Sequence, residues 1–251
     1  MKKLILLAMA CVMALGANAQ FYTGMSGLMH VPSAEMEQEG DLRIGTYFLN
    51  KHFTPQGGFA NDDGRYNTMD FYISATPFWW VEVGYAFTLL KDLHPGYEKP
   101  RYNAKDRYLS IKFTPIREGK YVPAVSVGSN DFLSTFTRSK STNYHGSGKS
   151  EYFRNYFIAV TKHLRTRGQE FGATLAYRKF TGDENHRWNG VVGGLTYRPG
   201  FAPDGRLMAE WDGCRVNLGV DYTLWNHLCL EAILVDCRYF SGGIAYKVNL
   251  F

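Results

Sequence analysis

Beyond its first nineteen residues this chain has no run of roughly 18 apolar residues, the length a helix needs to cross a bilayer. A spanning helix is therefore excluded, and any passage through lipid has to be made by strands. Cysteine is scarce: Cys11 falls in the N-terminal leader, and Cys214, Cys229 and Cys237 show no CxxC spacing. That excludes a disulfide-dense scaffold and the usual zinc or redox motifs, while leaving open one disulfide among the three. No HExxH or paired-histidine spacing and no GxSxG elbow occurs, so no metal ligand and no catalytic nucleophile is nominated. An excess of one charge is also missing. Without Lys2 and Lys3 the chain has 26 basic and 23 acidic side chains, a net charge near +3, which argues against a nucleic-acid partner. The expectation is a protein without cofactor, metal or catalytic residue.

Lys2 and Lys3, the apolar stretch from Leu4 to Leu15 and Ala17-Asn18-Ala19 have the layout of a cleavable export signal. Residues 1–19 are therefore expected to be removed, leaving Gln20 first. Cys11, behind Ala8-Met9-Ala10, reads as a signal residue and not a lipidated N-terminus.

Aromatics are plentiful at 16%, with 26 glycines, a mixture suited to strands, tight turns and interfacial girdles. Period-two alternation is clearest from Cys214 to Leu224. Cys214, Val216, Leu218, Val220, Tyr222 and Leu224 share one face, and Arg215, Asn217, Gly219, Asp221 and Thr223 the other. Apolar residues outward and polar residues inward is the transmembrane barrel pattern. Twelve strands are predicted, near 41–50, 66–75, 79–90, 107–115, 121–129, 153–163, 169–178, 190–198, 206–212, 214–224, 228–236 and 242–251. Their connections alternate long and short, the first short one being Thr76-Pro77-Phe78, as outer loops and periplasmic turns do. Both ends of the barrel then fall on the short-turn side, with Trp79, Trp80, Trp225 and Phe251. The last strand is expected to run flush to Phe251 and close against the first. A soluble β-barrel or sandwich would also alternate, but would not account for the long and short connections.

The fold expected is all-β: a single antiparallel transmembrane barrel of about 12 strands over 41–251, preceded by a lead-in at 20–40. In that lead-in, Pro32, Ser33 and Glu35 mark a possible plug of the lumen, with Ser33 capping a short helix; a disordered lead-in is the alternative. The polar candidates for the lumen are Glu82, Lys112, Glu210, Asp212, Arg215, Asp221, Glu231 and Lys247. Mutual charge pairing explains most of them, and a polar path for sugars is the functional alternative.

The segment Thr23-Gly24-Met25-Ser26-Gly27-Leu28-Met29-His30-Val31-Pro32-Ser33-Ala34-Glu35-Met36, followed by Gly40-Asp41-Leu42-Arg43-Ile44-Gly45, resembles the opening signature of the YjbH-like outer-membrane proteins. Ala209-Glu210-Trp211-Asp212-Gly213, leading into Val216 to Tyr222, is a second match. The resemblance implies a barrel in export or surface assembly of an exopolysaccharide, and it supplies no catalytic residue. This chain departs from the longer members, which carry further domains. The partners expected are outer-membrane lipid, polysaccharide and periplasmic export or assembly proteins. A barrel enzyme acting on lipid or glycan, and a structural or adhesive barrel, are the alternatives.

Overall fold

In the computed structural model, which describes residues 22–55, 60–61, 64–92, 96–134 and 151–251, the alternating segments form twelve antiparallel barrel strands. These are β1 Asp41–Leu49, β2 Thr68–Phe78, β3 Val81–Asp92, β4 Arg101–Ile116, β5 Ala124–Ser134 and β6 Asn155–Thr166, then β7 Gln169–Phe180, β8 Gly190–Arg198, β9 Gly205–Trp211, β10 Val216–Leu224, β11 Leu228–Val235 and β12 Tyr239–Asn249. Each pairs with its neighbours in sequence, and β1 closes on β12 in register from Asp41↔Asn249 to Phe48↔Gly242. Closure leaves no edge whose backbone groups would face lipid. The export signal lies outside the described residues.

Side-chain partition separates this barrel from a soluble one. On β10, Val216, Leu218, Val220 and Tyr222 are 40–47% exposed while Asn217, Asp221 and Thr223 are at most 7% exposed. β7 repeats this, with Leu175 and Tyr177 out and Thr174 and Arg178 in. An apolar surface around a polar interior is stable only when the surrounding solvent is itself apolar.

The turns 79–80, 117–123, 167–168, 199–204 and 225–227 lie at one end, together with the start of β1 and the end of β12. At the other end β1 leads to β2, β3 to β4, β5 to β6 and β7 to β8, and the brief 212–215 and 236–238 make their reversals. The 50–67 connection has a small ladder of Ala60–Asn61 with Gly64–Arg65, and 181–189 holds a 3-10 helix, Asp183–Trp188. Trp79, Trp80 and Trp225 sit in the short turns, where aromatic rings meet the lipid interface.

Three local expectations are corrected. Thr76-Pro77-Phe78 is not a turn but the end of β2, where the register shifts between Ala75 and Phe78 and Trp79-Trp80 makes the reversal. A bulge tolerates the missing proline N–H. Cys214 and Arg215 do not open β10. Gly213 turns with φ 101°, and Asp212 Oδ1 accepts the Cys214 and Arg215 N–H groups at 3.0 and 2.9 Å, so the strand starts at Val216. The last strand also stops short of the C-terminus, at Asn249. The Leu250 N–H bonds the Gly40 carbonyl at 3.0 Å, and the Phe251 ring lies against Gly40.

Gly40 has φ +87° and no room for a Cβ beneath Phe251. Gly40→Ala should destabilise the barrel by about 1–2 kcal/mol from the left-handed backbone alone. Urea unfolding in detergent micelles reads this, and an unchanged midpoint would refute the role given to the Gly40–Phe251 contact.

Candidate functional site: a plugged lumen

Residues 22–40 form no wall strand. Tyr22 is stacked on His30 and lies 5.4 Å from Phe153, ring centre to ring centre, at the outer end. From there the chain drops to Ser26, beside Glu82 and Lys112 near the short-turn end, and climbs to His30, level with Glu210 and Arg178. It then descends through Ser33, Glu35 and Glu37 into β1. The turn at the top is closed by Leu28 N–H to Val31 O at 3.0 Å, and Gly27 bridges Pro32. The segment, hereafter the plug, is buried from Tyr22 to Glu35 and lies within the lumen. The expected helix does not form: Ser33 Oγ accepts the Glu35 N–H at 3.1 Å in a local turn.

Because the plug is irregular, its backbone groups need partners that no ladder provides, and the wall supplies them. Glu82 accepts Ser26 N–H at 2.7 Å and Ser26 Oγ–H at 2.5 Å. Lys112, directly opposite Glu82 in register, pairs with it at 2.8 Å and donates to the Ser26 and Glu35 carbonyls, each at 2.7 Å. Glu210 accepts the His30 and Val31 N–H groups at 2.9 and 3.0 Å and an Asn217 amide N–H at 2.9 Å. Arg178 donates to the His30 carbonyl, and also to the Asp212 carbonyl at 3.0 Å. Ser126 and Thr161 bond the backbone of Ser33 and Ala34.

Lower in the lumen, charge meets charge. Arg206 binds both oxygens of Glu35, at 3.0 and 2.9 Å, and Asp221 at 2.9 Å. His163 stands between Glu35 at 3.0 Å and Glu118 at 2.7 Å. Glu37 pairs with Arg43 at 2.5 Å and with Lys247 at 3.4 Å, and Lys247 also approaches Asp41 at 3.8 Å. Burial by itself would raise the Glu35 carboxyl, but Arg206 and the hydrogen bond from His163 bring it below the ordinary carboxylate range. Glu37 is likewise lowered, Arg43 and Lys247 outweighing its burial.

Apolar plug residues are seated on wall glycines. A Cβ at Gly194 would strike Leu28, one at Gly219 would strike Met29, and one at Gly84 would come within 3.0 Å of the Met25 sulfur. The wall is thinned where the plug is thick, and these inward glycines are the backbone's close approach to another chain segment.

Of the eight lumen candidates, Glu82, Lys112, Glu210, Asp221 and Lys247 are buried wall residues around the plug. Glu231 is half-buried and accepts the Tyr47 hydroxyl at 3.1 Å. Asp212 is buried just past the end of β9. Arg215 is the exception, a half-buried residue of an outer hairpin. Pro32, Ser33 and Glu35 all lie in the plug. Sequence reasoning missed Arg43, His163, Arg178 and Arg206. Strand parity placed Arg206 on the same face as Glu210, and that was the available signal. Among the described residues no cluster of His, Cys, Asp or Glu has the geometry of a metal site.

Two tests follow from this network. Glu82→Ala strands a buried ammonium, with an expected cost of about 3–5 kcal/mol. The paired change Glu82→Met with Lys112→Met should cost less than either single change, and additive losses in denaturant unfolding would contradict the coupling. In the acid range, Glu35 and Glu37 have folded values below their ordinary 4.5. They add stability above about pH 4.5 that fades as pH falls through the depressed values. Protease resistance of residues 22–38 should therefore decline as pH falls below 4.5, and unchanged resistance to pepsin at pH 2 would contradict these ion pairs.

No curated protein matches this chain. In fold it is similar to the outer membrane phospholipase A of Escherichia coli, at 14% identity over 85% of this chain and 98% of that one, with a TM-score of 0.34. It is also similar to the Salmonella typhi outer membrane phospholipase dimer with bound calcium, at 13% identity over 84% and 91%, with a TM-score of 0.35. Similarity of that degree does not extend to chemistry. The family model described as exopolysaccharide biosynthesis protein YbjH matches residues 19–251, a span holding both the plug and all twelve strands. The chain belongs to this YjbH family of exopolysaccharide biosynthesis proteins.

Proposed function

We propose that this chain is a non-catalytic outer-membrane barrel in the export or surface assembly of an exopolysaccharide. It docks or gates the polymer and does not conduct freely. The observation that carries the reading is the plug: its backbone is held by Glu82, Lys112, Glu210 and Arg178 from four different strands. Carboxylates engaged in this way are placed to hold a segment, and their lone pairs are spent on N–H and cationic partners. Polysaccharide and periplasmic export or assembly proteins are the partners this reading requires, and lipid is the solvent of the apolar outer face. Removal of residues 1–19 on export belongs to the same proposal.

The test joins conductance to polymer output. In planar bilayers the full mature chain should show little conductance, and a variant lacking residues 22–36 should open steps of ion current. In the native host, deletion of the gene should lower surface polymer and raise its periplasmic pool, with recovery by the wild-type chain. Unchanged polymer in the deletion strain would overturn the export reading. Release of fatty acid or sugar by the pure protein would instead favour the enzyme alternative.

A further inference from the structure

The outer mouth holds three arginines from three different connections: Arg65 before β2, Arg187 in the 3-10 helix and Arg215 in the hairpin before β10. All converge on the backbone of one short segment of the first outer loop. The His52 carbonyl accepts from Arg187 Nη2 at 3.3 Å and Arg215 Nη1 at 3.4 Å. The Thr54 carbonyl accepts from Arg187 Nη2 at 3.2 Å and from Arg65 Nη2. Among the described residues, none of the three guanidiniums has a carboxylate within ion-pair distance. The carboxylate beneath the hairpin, Asp212, is committed to Cys214, Arg215 N–H and Asn217.

Such a grouping is costly. Carbonyl oxygens bring partial charge only, and like charges held together repel. Burial, with the charges of Arg187 and Arg215, lowers the Arg65 guanidinium to about 10. Nε of Arg65 and of Arg187 is buried without an acceptor among the described residues, although each guanidinium has five N–H donors to place. All three side chains are half-buried, so the cluster is open to the outside. Arg187 is further fixed in position over the Trp188 ring at 4.1 Å. The buried guanidiniums of Arg43 and Arg206, by contrast, meet carboxylates, whereas Arg178 is held by carbonyls as the mouth arginines are.

We infer that Arg65, Arg187 and Arg215 form an oxyanion site at the outer mouth, taking a carboxylate or phosphate group carried by a surface glycan. Planar guanidiniums bind both groups through paired N–H donors, and an oxyanion would bring full negative charge to donors held by carbonyl oxygens. The carboxylate source is an acidic sugar of a polymer, and the phosphate source is a phosphorylated glycan or glycolipid. The inference goes beyond the export reading and stands or falls separately from it.

Purified protein in detergent is titrated with oligogalacturonide, inorganic phosphate and neutral maltooligosaccharide by calorimetry. Binding of either anion, weakened at least tenfold in the double variant Arg187→Gln, Arg215→Gln, is the expected result, and the anion that binds identifies the source. Gln keeps an N–H donor for the loop carbonyls while removing the charge. Arg165→Gln, at the opposite end, should bind like wild type. Folding of each variant is checked by its heat-shifted gel band. A second measurement uses the unaltered chain: the bound anion should protect Arg65, Arg187 and Arg215 from phenylglyoxal, read by peptide mass spectrometry. Failure of both anions to bind at millimolar concentration, equal binding by the double variant, or no protection would each overturn the site. None of these outcomes bears on polymer export, which the gene deletion reads.

Discussion

Lys112 and Glu82 face each other across β4 and β3 with essentially no access to water, and the interior is organised around that fact. A buried ion pair repays its desolvation only when its remaining donors and lone pairs are also satisfied. Two adjacent strands cannot do this by themselves, because their backbone groups are spent on the ladder. The plug provides what is missing: the N–H, hydroxyl and carbonyl of Ser26 and the carbonyl of Glu35. Wall and plug are therefore mutually dependent. Without the plug, the wall would hold unpaired charges in a narrow lumen, and without the wall, the plug's irregular backbone would lack partners.

The same logic inverts the usual relation of core to surface. Tyr22, Phe53, Phe153 and Trp188 form an apolar cap at the outer end, joined through His30, while the depth of the lumen is charged. The largest fully buried side chains include Arg43, Arg178 and Arg206. In a soluble domain such burial would be ruinous unless rare. Here the strands must send their apolar face to lipid, so the polar face has nowhere else to go, and acidic and basic residues on the wall and plug neutralise one another.

Much of the wall was legible because a period of two leaves little freedom: β8 was read at its true bounds, and the parity of β10 assigned Asn217, Asp221 and Thr223 to the lumen. What escaped reading was set by contacts distant in sequence. His163 shares the inward parity of Thr161, yet its partners Glu35 and Glu118 are 128 and 45 positions away. Gly194 and Gly219 read as strand glycines of no special meaning until Leu28 and Met29 occupy the space above them. Arg215 was misplaced because alternation was extended two residues too far, through a turn that Asp212 organises with its own side chain. The grouping of Arg65, Arg187 and Arg215 had no signal, because three separate connections bring them together.

The energetics of the plug limit how the barrel can work. Freeing Ser26 alone would leave the buried Glu82–Lys112 pair without its hydrogen bonds to Ser26, at about 1–3 kcal/mol for each group left unsatisfied, and about 4 kcal/mol already leaves a released state near one part in a thousand. The anchors at Glu210 and Arg206 stand at other depths and add to that cost. Thermal fluctuation is thus a poor way to open this lumen, and an opening agent has to interact differently with the held and released states. The first outer loop offers one physical link for such a difference. Its Phe53 ring is stacked on the plug residue His30 at 4.9 Å, and the carbonyls on either side of Phe53 are those the arginines hold. A ligand that drew Arg187 and Arg215 away from these carbonyls would loosen the residue capping the plug, so events at the mouth and in the lumen would share one element.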